Sequence, residues 1–188
     1  MSHLTGMLLL YMDVYDTFVC LCNLLHRRFF LTYCRMDTIQ LNWRLQYFDQ
    51  LIHTHLPQLH QHLYQLNLPC SEYLIDWCRS LFTRVLPLDV SSRVIDWYLL
   101  DGEIICYRVS AAILHYYRRQ LVRSTYDECI FLLCNVDHEL HEVEFWNSVS
   151  IMSGNNVIHP LQFKQLLDRH TDNSTKSQHG FSIDQIKL

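Results

Sequence analysis

The amino-acid sequence predicts an all-α fold. Glycine and proline number only 4 each among 188 residues, whereas folds built from strands and turns need turn residues at short intervals. Hydrophobic residues make up 49% of the chain and charged residues 18%, a balance that supports a folded core. Apolar residues recur every three or four positions, as in helices that bury one face.

Charge and cysteine content narrow the functional classes. The formal net charge is -4, and no basic run suggests nucleic-acid binding. The eight cysteines include no CxxC pair, and no secretory signal precedes them. Reduced thiols packed among apolar side chains are therefore favoured over disulfides or zinc ligands, and we expect a cytoplasmic protein without cofactors.

The chain opens with an apolar stretch over residues 4–25. Asp13, Asp16 and Asn23 interrupt this stretch, and carboxylates near the middle of a membrane span are unfavourable. The sequence therefore predicts a buried helical hairpin that turns between Met12 and Tyr15, and no transmembrane segment. Because the first helix is apolar on all its sides, it needs neighbours on all sides, which suggests missing N-terminal partners.

Capping residues and prolines predict the helices that follow. A helix should begin after Asp37, and Pro57 suits the first turn of another. Ser71 follows the break at Pro69 and is the expected N-cap of a helix that Pro87 ends. This helix has one broad apolar face, made of Tyr73, Trp77 and Leu81 with Leu74, Cys78 and Phe82 beside them.

The second half of the chain predicts a further series of helices. Asp89 should cap a helix that stops at Gly102 in the left-handed conformation. The inward residues of this helix are expected to be Val90, Val94 and Trp97. A long helix should follow over residues 104–123, with close packing at its small residues 110–112. Thr125 and Glu128 have the spacing of a capping box, and short helices are expected at 142–149 and 161–167.

Histidines and buried charges are the candidates for chemistry. His53, His55, His60 and His62 have a spacing of two within each pair, which favours surface or interhelical histidines over a metal site. No GxSxG, phosphate-binding glycine loop or HExxH motif is present. Charged residues within strongly apolar helices form either a structural set of ion pairs or a polar site that faces a partner. These residues are Asp76, Arg93, Asp96 and Arg108.

The order of several short motifs resembles the C-terminal half of TBC domains, which are GTPase-activating domains for Rab small GTPases. The first motifs are Leu56-Pro57, Leu59, His62-Leu63, Tyr73-Leu74, Trp77, Leu81-Phe82 and Leu86-Pro87-Leu88. Arg93 to Asp96 then resembles the arginine-x-tryptophan-aspartate signature of the family, with Ile95 in place of tryptophan. The later motifs are Asp101-Gly102-Glu103, Tyr107-Arg108 and Ala112-Ile113-Leu114. The residues that carry the signature are Trp77, Pro87, Arg93, Asp96, Gly102 and Arg108.

The resemblance implies a regulator of a GTP-bound Rab. Family members supply an arginine finger and a glutamine finger in trans, from an isoleucine-x-x-aspartate-x-x-arginine motif and a tyrosine-x-glutamine motif. Neither motif occurs in this sequence, so no catalytic residue is assigned and the chain is expected to be inactive by itself. A non-catalytic helical binding module is the alternative, and a metal-dependent or thiol enzyme is the least favoured interpretation.

Three segments follow from this interpretation. Residues 1–151 are expected to be a partial TBC domain that begins inside a larger domain, 152–170 a helical extension, and 171–188 a flexible polar tail. Any membrane association, such as with endomembranes, should be peripheral and through partners. Apolar surface left uncovered should make the chain poorly stable on its own.

Overall fold

A computed structural model describes residues 2–136 and 140–154 together with Phe163. Within these residues the chain forms ten α-helices and no strand, which confirms the all-α prediction. The helices are α1 (Ser2–Tyr11), α2 (Val14–His26), α3 (Arg28–Arg35), α4 (Thr38–His55), α5 (Pro57–Gln65), α6 (Ser71–Ser80), α7 (Leu88–Asp101), α8 (Ile104–Leu121), α9 (Tyr126–Cys134) and α10 (Glu142–Met152).

The N-terminal hairpin forms where the sequence predicts it. Asp13 caps α2, because its Oδ1 accepts a hydrogen bond of 2.8 Å from the backbone N–H of Asp16. The hairpin is only partly buried, which differs from the prediction. Leu4, Met7 and Leu8 are buried, but many of its other apolar side chains are exposed. No helix of the described part of the chain is long and apolar enough to cross a membrane.

The predicted starts of α4 and α5 are confirmed. The Asp37 side chain accepts a hydrogen bond of 3.1 Å from the backbone N–H of Gln40 at the start of α4. Pro57 is the first residue of α5, where the absence of an N–H group removes no intrahelical hydrogen bond. Both signals are local, and both operate as the sequence indicates.

The limits of α6 differ from the prediction. Cys70 is the N-cap, and Ser71 is already helical. The helix ends at Ser80 because Leu81 and Phe82 adopt φ values of +46° and +62°, in the left-handed region. Both side chains are nevertheless fully buried, so tertiary packing supports a conformation that is unfavourable for apolar residues.

Two predictions about the connection between α6 and α7 are wrong. Pro87 does not end α6 but is the N-cap residue of α7, and Asp89 lies in the first turn of α7 rather than at its cap. Val90 and Val94 are buried as expected, whereas Trp97 is 39% exposed and not inward. Gly102 ends the helix with a positive φ of +76°, which favours glycine as predicted, but its ψ of −153° differs from that of the predicted left-handed conformation.

Helix α8 is the central element of the described fold. Twelve of its eighteen residues are buried, and it packs against α6, α7 and α10. Ser110, Ala111 and Ala112 are fully buried, which confirms the role predicted for these small side chains. The capping box of α9 is also confirmed, since the backbone N–H of Thr125 donates to Glu128 Oε2 at 2.8 Å.

The predicted C-terminal segments fall mostly beyond the described residues. Helix α10 extends three residues further than expected, to Met152. Phe163 is buried, and its ring lies 5.3 Å from that of Tyr47 and 5.2 Å from that of Tyr107, measured between centroids. The remainder of the helix expected at 161–167, and the tail expected at 171–188, lie outside the described residues.

Candidate functional site

Four of the six signature residues are buried, half-buried or placed at the ends of a helix. Trp77 is only 1% exposed, and its Nε1–H donates a hydrogen bond of 3.0 Å to the carbonyl oxygen of Leu133 on α9. Pro87 and Gly102 are the residues before and after α7. Arg108 is half-buried on α8, where its positive charge opposes the burial that raises the pKa of Tyr47 to about 12.

The other two signature residues, Arg93 and Asp96, lie together on an exposed face of α7. They line a surface groove with Trp97 of α7 and with Trp146 and Ser150 of α10. Arg93 forms an ion pair with Glu142 at the start of α10. The charged residues that were predicted to form one set of ion pairs therefore do not all lie together. Asp76 pairs instead with the nearby Arg79 and Arg84, at 3.0 and 2.9 Å.

One buried ion pair was missed from the sequence. Arg44 Nη2 lies 3.2 Å from Glu103 Oε2, and the two side chains are 1% and 9% exposed. Arg44 also donates hydrogen bonds to the carbonyl oxygen and the side-chain oxygen of Gln40 at 3.0 and 2.9 Å. Its guanidinium carbon lies 4.3 Å from the ring centroid of Trp43. The sequence contains only two signals of this pair. Arg44 is a charged residue within a helix that has apolar rows, and Glu103 is a charged residue directly after Gly102.

The histidines are distributed over separate contacts. His53 and His60 approach across the α4–α5 junction, with ring centroids 5.0 Å apart, and His60 Nε2 lies 3.2 Å from Asp49 Oδ1. His62 Nε2 instead contacts the carbonyl oxygen of Ser124 at 3.0 Å. Among the described residues, no group of three histidine, cysteine or acidic side chains could hold a metal ion.

The eight cysteines are free thiols. Cys78, Cys106 and Cys129 are buried as predicted, but Cys134 is exposed and the other four are half-buried. Burial raises the pKa of Cys70 to about 12 and also raises the pKa of Cys106. A nucleophilic cysteine needs the opposite shift, so these two thiols are unsuited to covalent catalysis.

An apolar surface on the N-terminal hairpin is the other distinctive feature. We call it the α1–α2 face, and it consists of Leu9, Leu10, Tyr11, Val14, Tyr15, Phe18 and Val19. Val14 and Tyr15 at its centre are 76% and 74% exposed. A pocket lined by Val19, Cys20 and Leu99 joins this face to the end of α7. Seven exposed apolar side chains on two consecutive helices make this face a candidate association site.

Charging the α1–α2 face should suppress self-association. The triple variant Leu10→Glu, Tyr15→Glu, Phe18→Glu places three carboxylates on exposed positions, so we expect it to remain a 22.6 kDa monomer where the unmodified chain associates. Size-exclusion chromatography with light scattering measures the mass. A second triple variant, Ile39→Glu, Tyr64→Glu, Leu88→Glu, adds the same charge at scattered exposed positions and should still associate. An unmodified chain that stays monomeric at high concentration would contradict the prediction.

Comparison with known proteins identifies the family. The family model of the Rab-GTPase-TBC domain matches residues 1–122. Drainin from Dictyostelium discoideum is 37% identical over 132 residues, which cover 70% of this chain and 30% of Drainin. TBC1 domain family member 14 from Homo sapiens is 28% identical over 150 residues, which cover 80% of this chain and 22% of that protein.

A further relative extends the similarity slightly. TBC1 domain family member 12 from Rattus norvegicus is 27% identical over 156 residues, which cover 83% of this chain and 22% of that protein. The chain thus spans less than a third of the length of each of these relatives. The family match includes α1 to α8, and therefore the buried ion pair and all six signature residues. The chain belongs to the Rab-GTPase-TBC domain family.

Proposed function

We propose that this chain is the C-terminal scaffold of a Rab GTPase-activating domain, and that it binds a GTP-bound Rab without accelerating hydrolysis by itself. The observation that carries the proposal is the family match over residues 1–122. The buried Arg44–Glu103 pair and the Trp77–Leu133 hydrogen bond support a scaffold role, because they hold α4, α6, α8 and α9 in fixed positions. We further propose a cytoplasmic location, with peripheral association with endomembranes through partners.

The absence of acceleration follows from the chemistry of phosphoryl transfer. An arginine finger contributes on the order of 10³–10⁵ in rate by stabilising charge on the transferring phosphoryl group. The two motifs that carry the fingers in this family are absent from the 188 residues. Binding of a Rab without these groups stabilises the ground state as much as the transition state, and so leaves the rate of the chemical step unchanged.

Single-turnover GTP hydrolysis by a panel of Rab proteins tests this expectation. With the 188-residue chain in excess, each Rab should hydrolyse GTP at its intrinsic rate. A TBC domain that carries both finger motifs serves as the positive control on the same Rab preparations. Clear acceleration of even one Rab by the unmodified chain would overturn the proposal.

The exposed α1–α2 face favours a second candidate, a helical binding module that is never catalytic. Fusing a segment with both finger motifs ahead of residue 1 distinguishes the two. Acceleration of GTP hydrolysis by the fusion supports the scaffold proposal. Retained binding of a GTP-loaded Rab without acceleration supports the binding module instead.

A further inference from the structure

We propose that the groove between α7 and α10 binds a positively charged side chain of a partner protein, with arginine preferred. We call it the tryptophan groove, and its volume is about 370 Å³. It is lined by Arg93, Asp96, Trp97, Trp146 and Ser150. This inference is independent of the proposed Rab binding, since it rests on the chemistry of the groove alone.

The geometry of two helices brings aromatic and charged side chains together here. Arg93, Asp96 and Trp97 follow the i, i+3, i+4 spacing that puts residues on one side of α7. Glu142 and Trp146 are separated by one turn of α10. The rings of Trp97 and Trp146 meet with centroids 5.3 Å apart and planes inclined at 60°. The groove therefore has an aromatic floor with charged groups at its edge.

The chain itself already places one cation against this floor. The guanidinium carbon of Arg93 lies 5.9 Å from the ring centroid of Trp146. Glu142 pairs with Arg93 and also accepts a hydrogen bond of 3.0 Å from Trp146 Nε1. Glu142 thus balances the charge of Arg93 and fixes the Trp146 ring, while Trp97 stays 39% exposed beside it.

Asp96 determines the charge of the expected ligand. This carboxylate is exposed and forms no hydrogen bond or ion pair with the described residues. Because Arg93 is paired with Glu142, Asp96 is the charged group of the groove lining that has no counter-ion among the described residues. A carboxylate that directly precedes a partly exposed indole suits a guanidinium, which can stack on an aromatic ring and pair with carboxylate oxygens. An anionic or purely apolar ligand would bury Asp96 without a partner.

Fluorescence anisotropy with a labelled peptide tests the site. The probe is a fluorescein-labelled glycine peptide with two arginines, compared with its analogue in which neutral citrulline replaces both. We expect the arginine peptide to bind more tightly than the citrulline peptide. Asp96→Asn should weaken binding about 5-fold and Trp97→Ala about 10-fold, whereas Trp97→Phe retains most of the affinity.

A matched control separates the groove from the general charge of the chain. Asp101→Asn removes an equal charge at an exposed position of α7 that does not line the groove, and should leave the affinity unchanged. Circular dichroism establishes that each variant keeps its helical content. Equal binding of the two peptides, or equal effects of Asp96→Asn and Asp101→Asn, would overturn the proposal. Trp97-dependent binding of phosphatidylcholine vesicles instead of the arginine peptide would assign the groove to lipid and also overturn it.

Discussion

Replacing Arg44 with methionine is expected to lower the free energy of unfolding by about 3–5 kcal/mol at neutral pH, because the change leaves the Glu103 carboxylate buried without its counter-ion. Methionine fills similar apolar space but donates no hydrogen bond. The variant therefore loses the ion pair, the two hydrogen bonds to Gln40 and the cation–π interaction with Trp43. Chemical denaturation followed by circular dichroism measures the loss.

The loss of stability in Arg44→Met should depend on pH, and the direction follows from the pKa of Glu103. Burial raises the pKa of Glu103, and Arg44 opposes that rise through its charge and its hydrogen bond. Without Arg44 the pKa should rise further, so the folded state binds a proton more readily than the unfolded chain. The loss of stability in Arg44→Met is then smallest below the pKa of an unfolded glutamate carboxyl group, about 4.3. The loss grows as the pH rises through the raised pKa of Glu103 in the folded variant.

Two further variants make this prediction specific. Adding Glu103→Gln to Arg44→Met removes the stranded charge, and should restore much of the stability and abolish the extra pH dependence. Arg84→Met breaks the exposed pair with Asp76, which at 2.9 Å is closer than the buried pair, yet should reduce stability by less than about 1 kcal/mol. Similar losses in Arg44→Met and Arg84→Met would show that burial does not govern the energetics.

The starts of α4, α5 and α9 could be predicted because their signals are local. Asp37 and the pair Thr125 and Glu128 act on backbone groups three residues away, and Pro57 needs only its own ring geometry. The glycine stop at Gly102 belongs to the same class, since its positive φ is unfavourable for other residues. These features follow from the residue and its near neighbours.

Features set by distant packing could not be predicted. Leu81 and Phe82 end α6 in left-handed conformations that their own side chains disfavour, and only their complete burial explains them. Trp97 has helical spacing with Val90 and Val94, but Ile95 and Tyr98 occupy the buried side of α7 instead. Arg44 and Glu103 are 59 positions apart, and the sequence around each residue does not indicate that they form a pair.

The signature tryptophan provides the second large expected effect. Trp77→Ala should lower the free energy of unfolding by about 3–5 kcal/mol, because it opens a cavity in the core next to Tyr73 and Phe82. The Trp77 ring centroid is 4.9 Å from that of Tyr73 and 6.2 Å from that of Phe82, so both neighbours lose an aromatic contact. The loss is again measured by chemical denaturation.

Trp77→Phe separates packing from hydrogen bonding. Phenylalanine keeps most of the apolar contact but leaves the carbonyl oxygen of Leu133 without its indole donor, so we expect a loss of about 1–3 kcal/mol. Leu133 lies in the last turn of α9, where carbonyl groups have no donor within the helix. The Trp77 indole therefore caps α9 from α6, and backbone amides of α9 should exchange with deuterium faster in Trp77→Phe.

The exposed Trp97 is the matched control for both substitutions. Trp97→Ala removes an equally large ring from the surface, and should reduce stability by only about 1 kcal/mol. If Trp77→Phe left both the stability and the exchange rates of α9 unchanged, the hydrogen bond to Leu133 would not contribute to the fold. If it destabilises α9 as expected, the tryptophan of the family signature acts by joining α6 to α9, and its role is structural rather than catalytic.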